Sequence, residues 1–349
     1  MSVNDTLFLP VFHELVRHKP QLGAHLASEN DDEEEVDSRI LAQQVVSSFP
    51  WPIGVELRRL LTVGVDAPNR GRLDQILKTI ERSCQFLAFV LLAQLLDEAL
   101  ARGEALVPAT FRKNFNNYFG RLSLGCLVWL IQSAGEALSA GGIKPFLPEM
   151  AALLHKDFYK RLTPWTPIRN EISHYLVNLD DTEIETRCFE YQESLAVLLK
   201  DMAFLVKYPL ASVTDIRVEK SKRRPASYRH EIKNLNNISA NVAGKPRDYD
   251  KYLDNRSVLL LKGFKSAPDN YLNLSPLIID TYPETLDSQE KIKNIKKDIF
   301  LYSKFETGRI YYTGAEVSEK CDLRSLSWYD ALVEEMTEFF TVLGTGGES

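Results

Sequence analysis

Apolar side chains recur at three- and four-residue spacing from Leu73 onward, and this spacing predicts α-helices. The first of them, beginning at Leu73, is predicted to run for about 25 residues. Its segment 86–96, FLAFVLLAQLL, is almost wholly apolar but only about half as long as a membrane span, so a helix buried in the protein is expected. Two further helical blocks are predicted at 111–140 and 145–162.

Another long helix is predicted to begin at Thr182. Thr182 and Glu185 have the spacing of a capping box, in which each side chain bonds the backbone amide of the other residue. The apolar positions that follow step by four and three residues, which is the seam of a helix packed nearly parallel or antiparallel to its neighbours. These positions are Ile184, Cys188, Tyr191, Leu195, Leu198, Met202 and Leu205. The helical pattern ends at Tyr208 and Pro209.

Beyond Pro209 the sequence changes to short β-like runs at 256–264, 271–282 and 298–314, where Thr307-Gly308 indicates a hairpin turn. A final amphipathic helix is predicted from Ser327 to Leu343. Its inward positions are Trp328, Leu332, Met336 and Phe339.

The predicted fold class is therefore α+β, with an N-terminal all-α helical bundle followed by a smaller β-rich C-terminal domain that carries a terminal helix. Three consecutive segments are expected. Residues 1–72 form a helical and loop extension, residues 73–210 form the bundle, and residues 211–349 form a β-rich domain that regulates activity or recruits substrate.

Composition narrows the class of protein. The chain has 349 residues, of which 44% are hydrophobic, enough for more than one core. A formal charge of -6 argues against a surface built entirely for nucleic acid, although it allows a local basic patch. The four cysteines lie far apart without a CxxC pair, and the N-terminus lacks the pattern of a secretory signal or anchor. We therefore predict a cytoplasmic protein without membrane association.

Residues 164–177, PWTPIRNEISHYLV, contain three polar side chains of chemical interest. Thr166 and Pro167 are typical of a helix start, because Thr can cap and Pro loses no bond at the first position. A buried stripe is expected on the side of Ile168, Ile172, Tyr175, Leu176 and Leu179. Arg169, Asn170 and His174 would then lie away from the core, with Arg169 and Asn170 in the first turn, where free amides favour an anion.

This trio suits a phosphate group. Arg169 supplies a permanent cation with a planar fork of donors, Asn170 an amide that orients oxygen atoms, and His174 a proton acceptor or donor near neutrality. In RNA the adjacent 2'-hydroxyl is a built-in nucleophile, so a base and a cation at the phosphate are sufficient for cleavage. Alternatively, the three side chains are ordinary surface residues on an exposed helix face, which would show the same spacing.

The residues Arg169, Asn170 and His174 match the R-x4-6-H motif of the HEPN superfamily, including the polar residue that follows the Arg, and the chain resembles that superfamily over about residues 73–208. The resemblance implies a helical bundle and a metal-independent endoribonuclease of toxin-antitoxin, abortive-infection or antiviral type. It implies catalytic roles for Arg169 and His174 and a supporting role for Asn170. Some of these toxins carry a Tyr two residues after the His that an antitoxin modifies, but here Tyr175 follows His174 directly, which argues against silencing by that route.

A homodimer is predicted as the active unit, because one exposed helix face cannot grip a phosphate from two sides and a second copy would supply the missing wall. The predicted partners are an RNA substrate and an antitoxin or other defence-system protein. Two alternatives remain open. The chain could be a catalytically silent HEPN module for dimerisation or nucleotide binding, or the scaffold of a defence complex.

A basic stretch at 217–233 contains four candidate substrate-binding residues, Arg223, Arg224, Tyr228 and Arg229. A basic loop with an aromatic residue can hold an RNA backbone and stack a base. A solvated loop between domains would look the same. We predict no metal site and no cofactor, because no metal-binding spacing of His and Cys, no phosphate-binding Gly loop and no dinucleotide motif is found.

Overall fold

The computed structural model of the chain describes residues 3–26, 38–103, 106–175, 179–236, 245–281, 298–316, 320–321 and 323–345. Helices occupy the N-terminal part, and strands followed by a terminal helix occupy the C-terminal part, so the predicted mixed helix and sheet class is confirmed.

The helices are numbered in chain order. They are α1 (Val3–His18), α2 (Ser38–Ser48), α3 (Trp51–Arg59), α4 (Arg70–Arg102), α5 (Ala109–Phe119), α6 (Leu124–Ala140), α7 (Met150–Leu153), α8 (Lys156–Leu162), α9 (Trp165–Tyr175), α10 (Asp181–Asp201) and α11 (Tyr329–Glu338). Short 3₁₀ turns lie at Pro20–Leu26, Ala203–Lys207 and Ala267–Asp269, and a π turn at Phe339–Leu343 follows α11.

The strands form two antiparallel sheets. The strands are β1 (Leu210–Glu219), β2 (Ser227–Asn234), β3 (Lys245–Tyr249), β4 (Val258–Leu261), β5 (Tyr271–Asn273), β6 (Ile278–Asp280), β7 (Ile299–Glu306), β8 (Arg309–Gly314) and β9 (Lys320–Cys321). The first sheet has the order β3-β2-β1-β4-β5 and the second the order β6-β7-β8-β9. The runs at 256–264, 271–282 and 298–314 contain β4 to β8 as predicted, whereas β1, β2, β3 and β9 were not predicted.

The chain forms two compact units, and neither is continuous in sequence. Unit one contains residues 1–83, 166–209 and 235–240, and unit two contains 84–165, 210–234 and 241–349. These units do not follow the predicted segments 1–72, 73–210 and 211–349. The reason lies in unit two, where the C-terminal strands bury their apolar side chains against the preceding helices.

Unit one is organised by α1, which packs against α2, α10 and the 3₁₀ turn at Ala203–Lys207. The α10 seam predicted from the sequence is buried at all its positions except Tyr191, which is half-buried. A fully buried guanidinium also lies here. Arg72 donates to the side chains of Gln192 and Asn4 and to the carbonyls of Leu60 and Val65, so it joins four segments of the unit.

Unit two is held together by an aromatic cluster. Phe115 and Phe119 lie one turn apart on α5 and stack at 4.7 Å, and Tyr302 of β7 lies 4.8 Å from Phe119. The Tyr302 hydroxyl donates to the Phe119 carbonyl at 2.8 Å, and its backbone carbonyl accepts from Gln85 of α4. Burial raises the pKa of Tyr302 well above its usual value, so its hydroxyl remains a donor.

Of two local predictions, the turn between β7 and β8 is correct and the cap of α10 is not. The hairpin turn between β7 and β8 is confirmed, with φ of 49° at Thr307 and 69° at Gly308, the conformation of a turn that matches strand twist. The capping box at Thr182 and Glu185 is wrong. Asp180 caps α10 instead, accepting from the Glu183 amide at 2.8 Å, so Thr182 lies inside the first turn.

Within the described residues, α4 is long and apolar enough to cross a membrane, but 78% of its most apolar window is buried in the protein. The core helix of a soluble protein passes the same test, so this is weak evidence for a span. The segment 86–96 is buried at every position, which confirms the prediction of a buried helix.

Candidate functional site

The three residues of the motif all lie on α9. This helix begins at Trp165, two residues before Pro167, the predicted first helical position, so Thr166 lies inside the helix, Arg169 is its fifth residue and Asn170 its sixth. The prediction that both fall in the first turn is therefore wrong. The free amides of a helix belong to its first turn, so they lie N-terminal to Arg169 and do not surround its side chain.

The buried side of α9 contains Trp165 and Ile172, which are 5% and 3% exposed. Ile168 and Arg169 are half-buried at its edges, and Asn170 is exposed, as predicted. Leu179 lies beyond the helix end and is half-buried, while the side chain of Tyr175 and the whole of Leu176 lie outside the described part of the chain.

The backbone at position 174 belongs to α9, while the side chain of His174 lies outside the described residues. On the helix, position 174 is about 40° from Asn170 and about 140° from Arg169. Asn170 therefore shares a helix face with position 174, whereas Arg169, about 100° from Asn170, lies on a different side of the helix.

An ion pair lies next to the motif. Glu171 accepts from the Arg187 guanidinium of α10 at 3.1 Å, where Arg187 is 21% exposed and Glu171 is 49% exposed. The Glu171 carboxylate is thus occupied by a cation of its own unit. It also ties α9 to α10, which holds the helix that carries Arg169 and Asn170.

The basic stretch 217–233 is a β-hairpin, so its prediction as a loop is wrong. Residues 217–219 end β1, residues 220–226 form the connection, and residues 227–233 belong to β2. The two strands pair from Ala211 with Asn234 to Glu219 with Ser227. The hydrogen bonds of this ladder satisfy the backbone groups of both strands. The side chains alternate little between apolar and polar, so the sequence alone gave no strand signal.

The hairpin separates its candidate residues onto two faces. Tyr228 is paired with Val218 on one face, whereas Arg229 is paired with Arg217 on the other. Arg229 lies 3.6 Å from the Glu219 carboxylate and 3.9 Å from that of Asp248. Its charge is therefore balanced within the sheet, and Arg229 is poorly placed to serve as a free phosphate ligand.

Arg223 and Arg224 lie in the connection between the strands and are exposed. Lys220 donates to the Arg224 carbonyl at 2.8 Å and so closes this turn. Together with Lys222, these residues place four cations at the end of the hairpin. The hairpin residues belong to unit two, and the motif residues after Trp165 belong to unit one.

A cleft of about 370 Å³ in unit two was not predicted from the sequence. Four carboxylates line it, together with polar groups such as Tyr271 and Asn273. They are Asp97 of α4, Asp254 of the β3–β4 connection, and Glu335 and Glu338 of α11. Asn273 donates to Asp254 at 2.9 Å. No sequence signal could reveal this cluster, because its members are separated by up to 241 positions (97 to 338) and each suits an ordinary solvated helix face or loop.

The cleft shifts the titration of its carboxyl groups. Partial burial, and then the charge of Asp254, raises the pKa of Asp97 to about 6. The same two causes raise the pKa of Glu335 to about 7. Both side chains still reach solvent, so these groups exchange protons near neutrality. Over the described ranges, no group of three or more His, Cys, Asp or Glu side chains is arranged to hold a metal ion.

Comparison with known proteins gives no match: no family model, no curated protein and no solved structure is significantly similar to this chain.

Proposed function

We propose that this protein is a metal-independent endoribonuclease of HEPN type that acts as a toxin or antiviral-defence effector. Arg169 and His174 are its catalytic residues, and Asn170 orients the substrate. The observation that carries the proposal is the sequence R-N-x3-H on one continuous helix, α9, with Asn170 exposed and Arg169 half-buried. A half-buried guanidinium is a better phosphate ligand than a fully solvated one, because it loses less freedom on binding.

The reaction is an attack by the 2'-hydroxyl of RNA on the adjacent phosphorus. A new O2'–P bond forms as the P–O5' bond breaks, which leaves a 2',3'-cyclic phosphate on one product and a 5'-hydroxyl on the other. A neutral His174 accepts the 2' proton, and a protonated His174 of a second copy donates to the leaving 5' oxygen. Arg169 balances the charge that develops on the phosphate oxygens.

The geometry of α9 supports a dimeric site. Because Arg169 and position 174 are about 140° apart around the helix, one helix directs them to different sides. Two α9 helices facing each other across a two-fold axis can place the Arg of one copy against the His of the other. The active unit is therefore a homodimer with two composite sites or one shared cleft.

The first test is cleavage of a fluorescently labelled RNA in excess EDTA. We expect cleavage with cyclic phosphate ends, and its loss in His174→Ala. His155→Ala is the matched control, since His155 is a histidine with a 71% exposed side chain at the N-cap position of α8 and should retain activity. Cleavage that requires magnesium and leaves 5'-phosphates would overturn the proposed chemistry.

The second test concerns the cation. Arg169→Lys should be nearly as inactive as Arg169→Ala, because a point charge cannot replace the planar fork. Arg17→Ala, which removes an arginine from the surface of the same unit, is the control. In the cell, induced expression should stop growth, and Arg169→Ala should relieve the arrest; arrest that persists in this variant contradicts a nuclease toxin.

The dimer is tested by mass and by mixing. Light scattering should give about twice 39.7 kDa. Co-expression of His174→Ala chains with wild-type chains should lower activity beyond simple dilution. A dimer that never cleaves RNA would favour the silent dimerisation module instead, and a monomer with full activity would exclude the composite site.

A further inference from the structure

An aromatic patch lies at the outer end of the β1–β2 hairpin. Val218 is 62% exposed and pairs across the strands with Tyr228. Tyr252, in the connection after β3, is 68% exposed, and its ring centroid is 5.8 Å from that of Tyr228 at an interplanar angle of 67°. Two tyrosine rings and one valine therefore present apolar surface to solvent at a single place.

The patch continues the apolar face of the sheet beyond the point where that face is covered. Further inward, Tyr249 donates to the Phe264 carbonyl at 2.6 Å, and Leu253 donates its amide to His230. Arg247 lies over the Phe264 ring at 4.1 Å. These contacts close the inner part of the face, so Val218, Tyr228 and Tyr252 are not needed to seal the core.

The rim of the patch is positively charged. Lys220, Lys222, Arg223 and Arg224 are exposed in the connection between the strands. In the part of the chain that is described, Lys222, Arg223 and Arg224 have no ion pair with a carboxylate, unlike Arg229 on the opposite face. Four cations are gathered here although the formal charge of the chain is -6, which indicates a local function. The positive charge of this turn is complementary to a polyanion.

We propose that this hairpin end is a binding platform for single-stranded RNA, in which a base stacks on the exposed ring of Tyr252, which Tyr228 contacts edge to face, and the cations of the turn hold the adjacent phosphates. The combination of flat rings and a cationic rim fits unpaired nucleotides, whose bases are free to stack, and does not fit a duplex, whose bases are covered by their neighbours. The choice of RNA rests on the proposed function. The platform is distinct from the motif on α9, and it supplies affinity for the substrate without taking part in the chemistry.

Binding is measured by fluorescence anisotropy with a labelled 2'-O-methyl oligonucleotide of about fifteen nucleotides, long enough for such a surface. This probe cannot be cleaved by 2'-hydroxyl attack, so binding is measured apart from cleavage. Tyr252→Ala should weaken binding by roughly fivefold to a hundredfold, the range for loss of one stacked base. Tyr252→Phe keeps the ring and should bind like the wild type. Phe189→Ala, which removes another partly exposed ring, is the matched control.

The phosphate contacts are tested by salt dependence. Arg223→Ala with Arg224→Ala should reduce the slope of log affinity against log salt by about 1.4, since each single-strand contact contributes about 0.7. Lys113→Ala with Lys156→Ala removes the same charge from exposed positions elsewhere in unit two and should leave the slope unchanged. Equal affinity for a duplex of the same length would overturn the platform.

The outcomes separate this inference from the proposed nuclease. If wild-type protein cleaves RNA and Tyr252→Ala binds the probe as tightly as the wild type, the platform is wrong and the nuclease stands. If binding depends on Tyr252 but no RNA is cleaved, the nuclease is wrong and the platform stands. An acidic peptide is added as competitor at equal charge concentration. If it displaces the labelled oligonucleotide, the surface is a protein interface and the RNA assignment is overturned.

Discussion

Replacement of Gln192 by Leu should strongly destabilise unit one, because it removes the main acceptor of a buried cation. Arg72 is fully buried, and both its Nε and one of its terminal nitrogens donate to the Gln192 side-chain oxygen. Burial lowers the pKa of Arg72 to about 10, so the guanidinium remains charged at neutral pH. Gln192→Leu therefore leaves a buried charge with two unpaired donors.

The magnitude follows from those two donors. A hydrogen bond to a charged group contributes about 1.5–3 kcal/mol, so two lost bonds cost about 3–6 kcal/mol. Breaking a buried charged pair typically costs about 3–5 kcal/mol. The bonds from Arg72 to Asn4, Leu60 and Val65 remain and keep the guanidinium in place. We expect a loss of about 4 kcal/mol in the free energy of unfolding of this unit.

Hydrogen exchange of α10 amides measures this loss, because it reports on opening of the unit that contains α10. Gln43→Leu, a matched change at an exposed position of α2, should alter stability by less than about 0.5 kcal/mol. The double variant Arg72→Met with Gln192→Leu removes the charge together with its acceptor and should recover about half of the loss. A single variant within about 1 kcal/mol of the wild type, or a double variant as unstable as the single, would refute the reasoning.

Three further outcomes are expected. Partial burial raises the pKa of Glu335 to about 7 and of Asp97 to about 6, so the folded chain binds more protons than the unfolded chain. The free energy of unfolding should therefore fall by about 1 kcal/mol, after solvent screening, as pH rises from about 4 to about 8. Melting curves of Glu335→Gln should show a weaker dependence of stability on pH. Asp180→Ala should cost about 1 kcal/mol in urea unfolding and Thr182→Ala less than half of that, whereas the reverse order would restore the capping box. Gly308→Ala should cost about 1 kcal/mol in the same assay because its φ is 69°, and an unchanged midpoint would show that the turn relaxes.

Local patterns in the sequence located the elements whose apolar period is set by neighbours three or four residues apart. The helix after Leu73, the seam of α10 and the terminal helix were predicted in this way. The β7–β8 turn was equally local, because two residues at positive φ decide it. The motif on α9 was visible for the same reason, since Arg169, Asn170 and position 174 lie within two turns of one helix.

Strands β1 and β2 were not visible, although β1 contains the apolar residues Val213, Ile216 and Val218. A bulge between Val213 and Asp215 shifts the alternation by one residue, so the period of two is broken in the sequence but restored in the sheet. Pairing with β2 and β4 stabilises this irregular strand. Such pairing joins positions 8 to 50 apart in the chain, beyond the short window in which a strand pattern is read.

The sequence by itself thus determined the helix after Leu73, the seam of α10, the terminal helix, one turn and the residues of the motif, because each depends on contacts within a few positions. Only the tertiary structure decided which polar groups meet. It buried Arg72 against Gln192, placed Arg229 beside Asp248, and brought Asp97 and Glu335 into one cleft. These contacts join positions more than a hundred residues apart in two cases, and chain folding rather than local spacing brings them together.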